Sequence, residues 1–142
     1  MINFYIKRLL IILLILFPLT CIGTVEGSLE IITASELFNN YLNNKDYVLI
    51  DNRPFEKYQA GHIKGAINLV YFIEGDPQNT LTQETLKKHG HKKKIIFYCT
   101  GFDRSPNAAK IATTKWKIPS NRILLFKGGI SEWLQKGYPI IK

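Results

Sequence analysis

Cys99, Arg104 and Ser105 are the residues whose types and spacing carry the most chemistry in this sequence. A free thiol ionises near pH 8.5, and a helix N-terminus or a neighbouring cation moves it well below that. Arg104 ends the short run Thr100-Gly101-Phe102-Asp103 that follows the cysteine, and Ser105-Pro106 opens what reads as a helix. Loop and first-turn N–H groups converge above a residue so placed, and the helix dipole favours negative charge there. Such a loop stabilises a thiolate and also holds an oxyanion. The competing role for Cys99 is that of a small buried hydrophobe, common for free cysteines. Packing alone explains neither the Cys-x4-Arg spacing nor the Ser-Pro pair.

The elements around this loop are legible. Ile95-Ile96-Phe97-Tyr98, preceded by three lysines, is a buried strand that ends at Cys99. Ser105 is expected to N-cap the next helix with Pro106 at its first position, where a missing N–H costs nothing. Ala108, Ala109, Ile111 and Ala112 give that helix, running to about Trp116, a small apolar face for close packing on a sheet.

The same pattern runs through the rest of the chain. Glu30-Ile31-Ile32 is a short strand, and Thr33 with Glu36 forms a capping box for a helix over Leu37, Phe38, Tyr41 and Leu42. Tyr47 to Ile50 is an apolar run of the kind buried on both faces of a parallel sheet. Pro54 opens a short helix, Ala66 to Leu69 is a strand, and Val70 to Gln78 is irregular around Gly75 and Pro77. Thr80 to Lys88 reads as helix, with Thr80 and Gln83 as its capping box. Arg122 to Phe126 is the last strand, and Gly128-Gly129 turns into a helix carrying Trp133. Strands alternating with helices predict an α/β domain with a mostly parallel sheet.

Three blocks, in order, resemble the rhodanese family over 29–142. They are Asp51-Asn52-Arg53 with Glu56, Tyr58 and Gly61-His62-Ile63-Lys64-Gly65-Ala66-Ile67-Asn68; Tyr98-Cys99 with Arg104-Ser105 and Ala108-Ala109; and Gly128-Gly129-Ile130 with Trp133 and Gly137-Tyr138-Pro139. The resemblance implies a five-stranded core with helices on both faces. It also implies transfer of a sulfane sulfur from a donor such as thiosulfate to a thiol or cyanide, or to a protein that accepts the sulfur, through a Cys99 persulfide. In that scheme Cys99 is the nucleophile and the backbone N–H groups of Thr100, Gly101, Phe102, Asp103 and Arg104 stabilise the persulfide and the departing anion. Arg104 binds the donor's oxyanion, and Ser105 caps the helix or donates a hydrogen bond. Asp103 opposes a thiolate, so it either faces solvent or pairs with Arg104. Gly101 sits one place earlier than the glycine of many rhodanese loops.

Asp51 and Arg53 stand at a strand's C-terminal end, where they are either site residues or a structural ion pair. His62 is placed either to satisfy a backbone group or to act in the site. His89 and His91 read as solvated, and no metal or cofactor is expected. Phosphatases and arsenate reductases that resemble this fold carry one more residue in the loop, Cys-x5-Arg, to fit a tetrahedral anion. A non-enzymatic binding or sulfur-carrier module is the remaining alternative, disfavoured by the presence of both Cys99 and Arg104.

With 142 residues the chain has room for one ordinary domain, and 46% hydrophobic residues suit a packed core. The formal charge of +8 is scattered apart from His91-Lys92-Lys93-Lys94, with no basic stripe interleaved with aromatics, so nucleic acid is not an expected partner. At the N-terminus, Lys7-Arg8 precedes the apolar run Leu9 to Phe17, broken at Pro18 and Thr20. This predicts a signal peptide over 1–23, with cleavage as late as 27, and a periplasmic or extracytoplasmic protein. An uncleaved segment, or a lipidated Cys21, would anchor it to a membrane instead. Once Cys21 is removed, Cys99 stays a free thiol in a compartment where disulfides form.

Overall fold

Runs of β-branched and aromatic residues form five strands among residues 28–142, the part of the chain that the computed structural model describes. The export segment expected over 1–23 or 1–27, with Cys21, lies outside the described residues. The strands are β1 (Glu30–Ile31), β2 (Tyr47–Asp51), β3 (Ala66–Asn68), β4 (Lys94–Tyr98) and β5 (Ile123–Phe126). They lie in the order β1-β5-β4-β2-β3, and every pairing is parallel. The helices are α1 (Ala34–Glu36), α2 (Phe55–Ala60), α3 (Gln83–Lys87), α4 (Arg104–Thr114) and α5 (Gly129–Gln135). A π-helical turn, Leu37–Tyr41, continues α1, and a 3-10 turn, Ser120–Arg122, leads into β5.

Side chains alternate across each strand, so the sheet buries two different cores. Val48, Ile50, Ile95, Phe97, Ile123 and Leu125 meet α3 and α4 on one face. Leu49, Ile96, Tyr98, Leu124 and Phe126 meet α1, Ile63, Ile130 and Trp133 on the other. Ala108, Ala109 and Ala112 of α4 are fully buried, and their small size brings the helix backbone close to β4 and β5. Both faces of the central strands are covered, which is why those strands read as continuous apolar runs rather than alternating ones.

Three expected helix starts have different outcomes. Thr33 and Glu36 form both halves of the capping box. The second box is made by Thr82 and Thr85, not Thr80 and Gln83; Thr80 instead accepts the Val70 N–H through Oγ1 at 2.8 Å. The third, α4, opens at Arg104 with Asp103 as N-cap, so Ser105 is its second residue and caps nothing. Tolerance of Pro106 survives this shift, because the whole first turn lacks intrahelical N–H acceptors. Among the described residues no helix is long and apolar enough to cross a membrane.

Candidate active site

Cys99 leaves β4 at the C-terminal edge of the sheet, on the face that α4 covers. Only 1% of the residue is exposed. The residue that meets its sulfur is Ser105, freed from capping by the early start of α4. The Ser105 hydroxyl donates to Sγ at 3.3 Å, and in the neutral state the thiol faces the Phe102 carbonyl at 3.6 Å. Burial pushes the Cys99 thiol up, but the Ser105 hydroxyl and the N–H groups of Gly101, Ser105 and Phe102 outweigh it, leaving the thiol below its ordinary value. The activating groups are therefore neutral donors gathered at a helix start.

The other residues of the loop separate by role. Thr100 and Gly101 are half-buried, while Phe102 and Asp103 are exposed, Phe102 at 76%. Of the two orientations open to Asp103 the solvent-facing one is found: it makes no ion pair with Arg104 and no side-chain cap. Arg104 meets an aromatic ring. Its guanidinium carbon sits 5.1 Å from the centroid of the Phe72 ring, in a cation–π contact.

The start of α5 fixes the loop from behind. The Ile130 N–H donates to the Cys99 carbonyl at 2.8 Å, and the Ser131 hydroxyl donates to the Thr100 carbonyl at 2.6 Å. Two glycines make this approach feasible. Gly129 has φ +58°, and a Cβ there would lie 2.3 Å from the Cys99 carbonyl oxygen. Gly101 has φ +128°, and a Cβ on it would meet the Gly128 carbonyl oxygen at 2.9 Å. With both carbonyls of the loop's first two residues turned away and bonded, its N–H groups are left to face the sulfur.

Asp51 and Arg53 are brought together with each other, His62 packs separately on Tyr58, and among the described contacts none of the three touches Cys99. Asp51 belongs to the opposite face of the sheet, the side of Leu49 and Tyr98. Arg53 Nε donates to both Asp51 carboxylate oxygens at 2.9 and 3.0 Å, and Nη2 donates to Oδ2 at 2.6 Å and to the Gly61 carbonyl at 2.8 Å. Burial works against the Arg53 charge, and the Asp51 carboxylate more than offsets it. The same burial and the same carboxylate hold the Tyr98 phenol far above its usual range. His62 stacks on Tyr58, with ring centroids 3.7 Å apart and Nδ1 3.0 Å from the Tyr58 carbonyl oxygen. Its backbone pairs with Ile141. These residues pin the loops beneath the sheet.

The sequence pattern pointed to Gly128-Gly129 as a turn and as part of a family block, without a role at the cysteine loop, and to Ser131 and Phe72 not at all. No local signal links Ser131 to a carbonyl 31 positions away. For Phe72 the available hint was an aromatic in a loop that follows a strand of the same parallel sheet.

Residues 33–136 match the family model described as "Rhodanese-like domain". The chain is 34% identical over 102 residues to a tRNA uridine(34) hydroxylase of Buchnera aphidicola subsp. Baizongia pistaciae, a match covering 68% of this chain and 30% of that protein. It is 24% identical over 132 residues to the uncharacterized protein YibN of Escherichia coli strain K12, covering 93% of this chain and 86% of YibN. The crystal structure of the single-domain sulfurtransferase RDL2 of Saccharomyces cerevisiae superposes with a TM-score of 0.59 at 22% identity, over 80% of this chain and 98% of that one. The chain spans only about a third of the hydroxylase, so that likeness concerns the shared domain. The parallel five-stranded sheet, the cysteine loop at its C-terminal edge and the matched span together make this chain a member of the rhodanese-like domain family.

Proposed function

We propose that this protein is a sulfurtransferase that carries a sulfane sulfur on Cys99, with thiosulfate as a competent donor. The observation that supports this most directly is the donor set around the sulfur, a serine hydroxyl and three backbone N–H groups that hold a buried thiol below its ordinary value. Such a set suits a site in which negative charge stays on sulfur throughout the cycle. The Cys99 thiolate attacks the outer sulfur of thiosulfate and a new S–S bond forms. The bond between the two donor sulfurs breaks, and sulfite leaves with its electron pair. Cyanide or a thiolate then attacks the outer sulfur of the Cys99 persulfide, and Cys99 departs as the thiolate it was at the start. Each step conserves electrons. Arg104, at the loop's end, serves the sulfonate of the donor and the departing sulfite.

The Cys-x4-Arg loop, one residue shorter than the phosphate-binding kind, favours sulfur transfer over phosphate or arsenate chemistry. Export is part of the same proposal, on the strength of Lys7-Arg8 and the apolar run that follows. Intact-mass measurement before and after thiosulfate tests the chemistry: wild type should gain the mass of one sulfur atom and lose it to cyanide, and Cys99→Ser should gain nothing. A wild-type protein that takes up no sulfur but hydrolyses an aryl phosphate would overturn the reading. N-terminal sequencing after expression of the full chain in a bacterium tests export, with a soluble product beginning near Thr24 or Ser28 as the expected result.

A further inference from the structure

Arg104 is the residue assigned to the donor anion, yet among the described residues it has neither an ion pair nor a side-chain hydrogen bond. Among those residues its one specific contact is the Phe72 ring. Phe72 lies in the irregular segment after β3, and that segment is tightly organised at this point. The Phe72 N–H donates to Asn79 Oδ1 at 2.8 Å, and Asn79 Nδ2 donates to the Ile73 carbonyl at 2.6 Å. One side chain thus clamps the two residues that present the ring. The turn is closed further by the Asp76 N–H to the Ile73 carbonyl and the Asn79 N–H to the Asp76 carbonyl, at 3.2 and 3.1 Å. Nothing in this arrangement is needed to bury Phe72, which stays only half-buried.

We infer that Phe72, presented by the Asn79-clamped loop, is a positioning residue that holds the Arg104 guanidinium ready for the substrate anion. A free arginine side chain loses rotamer entropy when an anion orders it, and a ring beneath the guanidinium meets part of that cost before the anion arrives. The contact engages the cation through its charge and leaves the N–H donors without acceptors among the described residues, free for sulfonate or sulfite oxygens. In this division the arginine addresses the anionic end of the donor, and neutral groups address the sulfur.

This inference rests on the sulfur-transfer reading for the role of Arg104, so its test includes a readout that needs no turnover. Protection of Cys99 against iodoacetamide by sulfate, an unreactive tetrahedral anion, is measured in wild type, Phe72→Leu and Phe72→Tyr. Loss of an exposed cation–π contact predicts that half-protection in Phe72→Leu needs about two- to fivefold more sulfate. Phe72→Tyr, which keeps the ring, should match wild type. The KM for thiosulfate should rise by the same factor in Phe72→Leu with kcat retained, and the pH midpoint of Cys99 alkylation should not move in either variant. Sulfate that fails to protect wild type, or protects Phe72→Leu equally well, overturns the inference. So does an alkylation midpoint that shifts in Phe72→Leu, because the loop rather than Arg104 would then have moved. Should wild type show this protection pattern without using thiosulfate, the sulfur-transfer reading fails while the role of Phe72 stands.

Discussion

The two faces of the sheet solve opposite electrostatic problems at the same edge. Beneath it, Asp51 and Arg53 form an almost wholly buried ion pair, and Arg53 also donates to the Gly61 carbonyl. Above it, Cys99 is just as buried but is met by neutral groups, the Ser105 hydroxyl and the N–H groups of Gly101, Phe102 and Ser105. A paired charge in the interior is fixed and inert, since moving either member leaves the other uncompensated. A thiolate held by neutral dipoles keeps its lone pairs and its charge available for reaction. Position at the strand ends is shared by both sites; what distinguishes them is whether the neighbouring group neutralises the charge or merely orients toward it.

The comparison breaks most visibly if the lower face is disturbed. Asp51→Ala should strand the buried guanidinium of Arg53 and cost about 3–5 kcal/mol of stability, read as a fall in the denaturant midpoint. The folded fraction should still show the wild-type pH midpoint for Cys99 alkylation. A shifted midpoint would mean that the faces are coupled and the contrast is false.

On the upper face, Ser105→Ala removes a hydrogen bond to a charged sulfur, worth about 1.5–3 kcal/mol. That corresponds to a rise of about one to two units in the alkylation midpoint of Cys99, with little loss of stability. Arg104→Lys keeps the charge but loses the planar fork, and kcat/KM for thiosulfate should fall about tenfold while the alkylation midpoint holds. An unchanged kcat/KM would remove Arg104 from anion binding.

A smaller effect follows from linkage. Because the folded thiol ionises below its unfolded value, the native state binds fewer protons in the interval between the two. Cys99 therefore adds stability that is fully present above the unfolded thiol pKa and disappears as pH falls through the folded one. The stability difference between wild type and Cys99→Ser should grow with rising pH across that interval. A difference that is flat with pH would argue against the donor set. The smallest change is expected for Ser131→Ala, which leaves the Thr100 carbonyl to the weaker Ser131 N–H contact at 3.4 Å. About 0.5–1.5 kcal/mol of stability should be lost, with slower alkylation of Cys99 at fixed pH as the loop loosens.

Local sequence alone determined the strands, because Tyr47 to Ile50 and Ile95 to Tyr98 are apolar without a break and only a doubly covered parallel sheet buries such runs. It also determined that Cys99 stands between a strand and a helix, since Pro106 and the alanines behind it leave little other choice. Three further features were decided by tertiary structure. Whether Ser105 capped the helix or faced the sulfur depended on a shift of two residues in where α4 begins, a margin that propensity does not resolve. Whether Asp51, with Arg53 bonded to it, belonged to the site depended on which face of β2 Asp51 occupied, and that follows from pairing rather than from composition. The supports supplied by Ser131 to Thr100 and by Phe72 to Arg104 join residues far apart in the chain. Their energies exist only once the loops at the C-terminal edge of the sheet have been brought together.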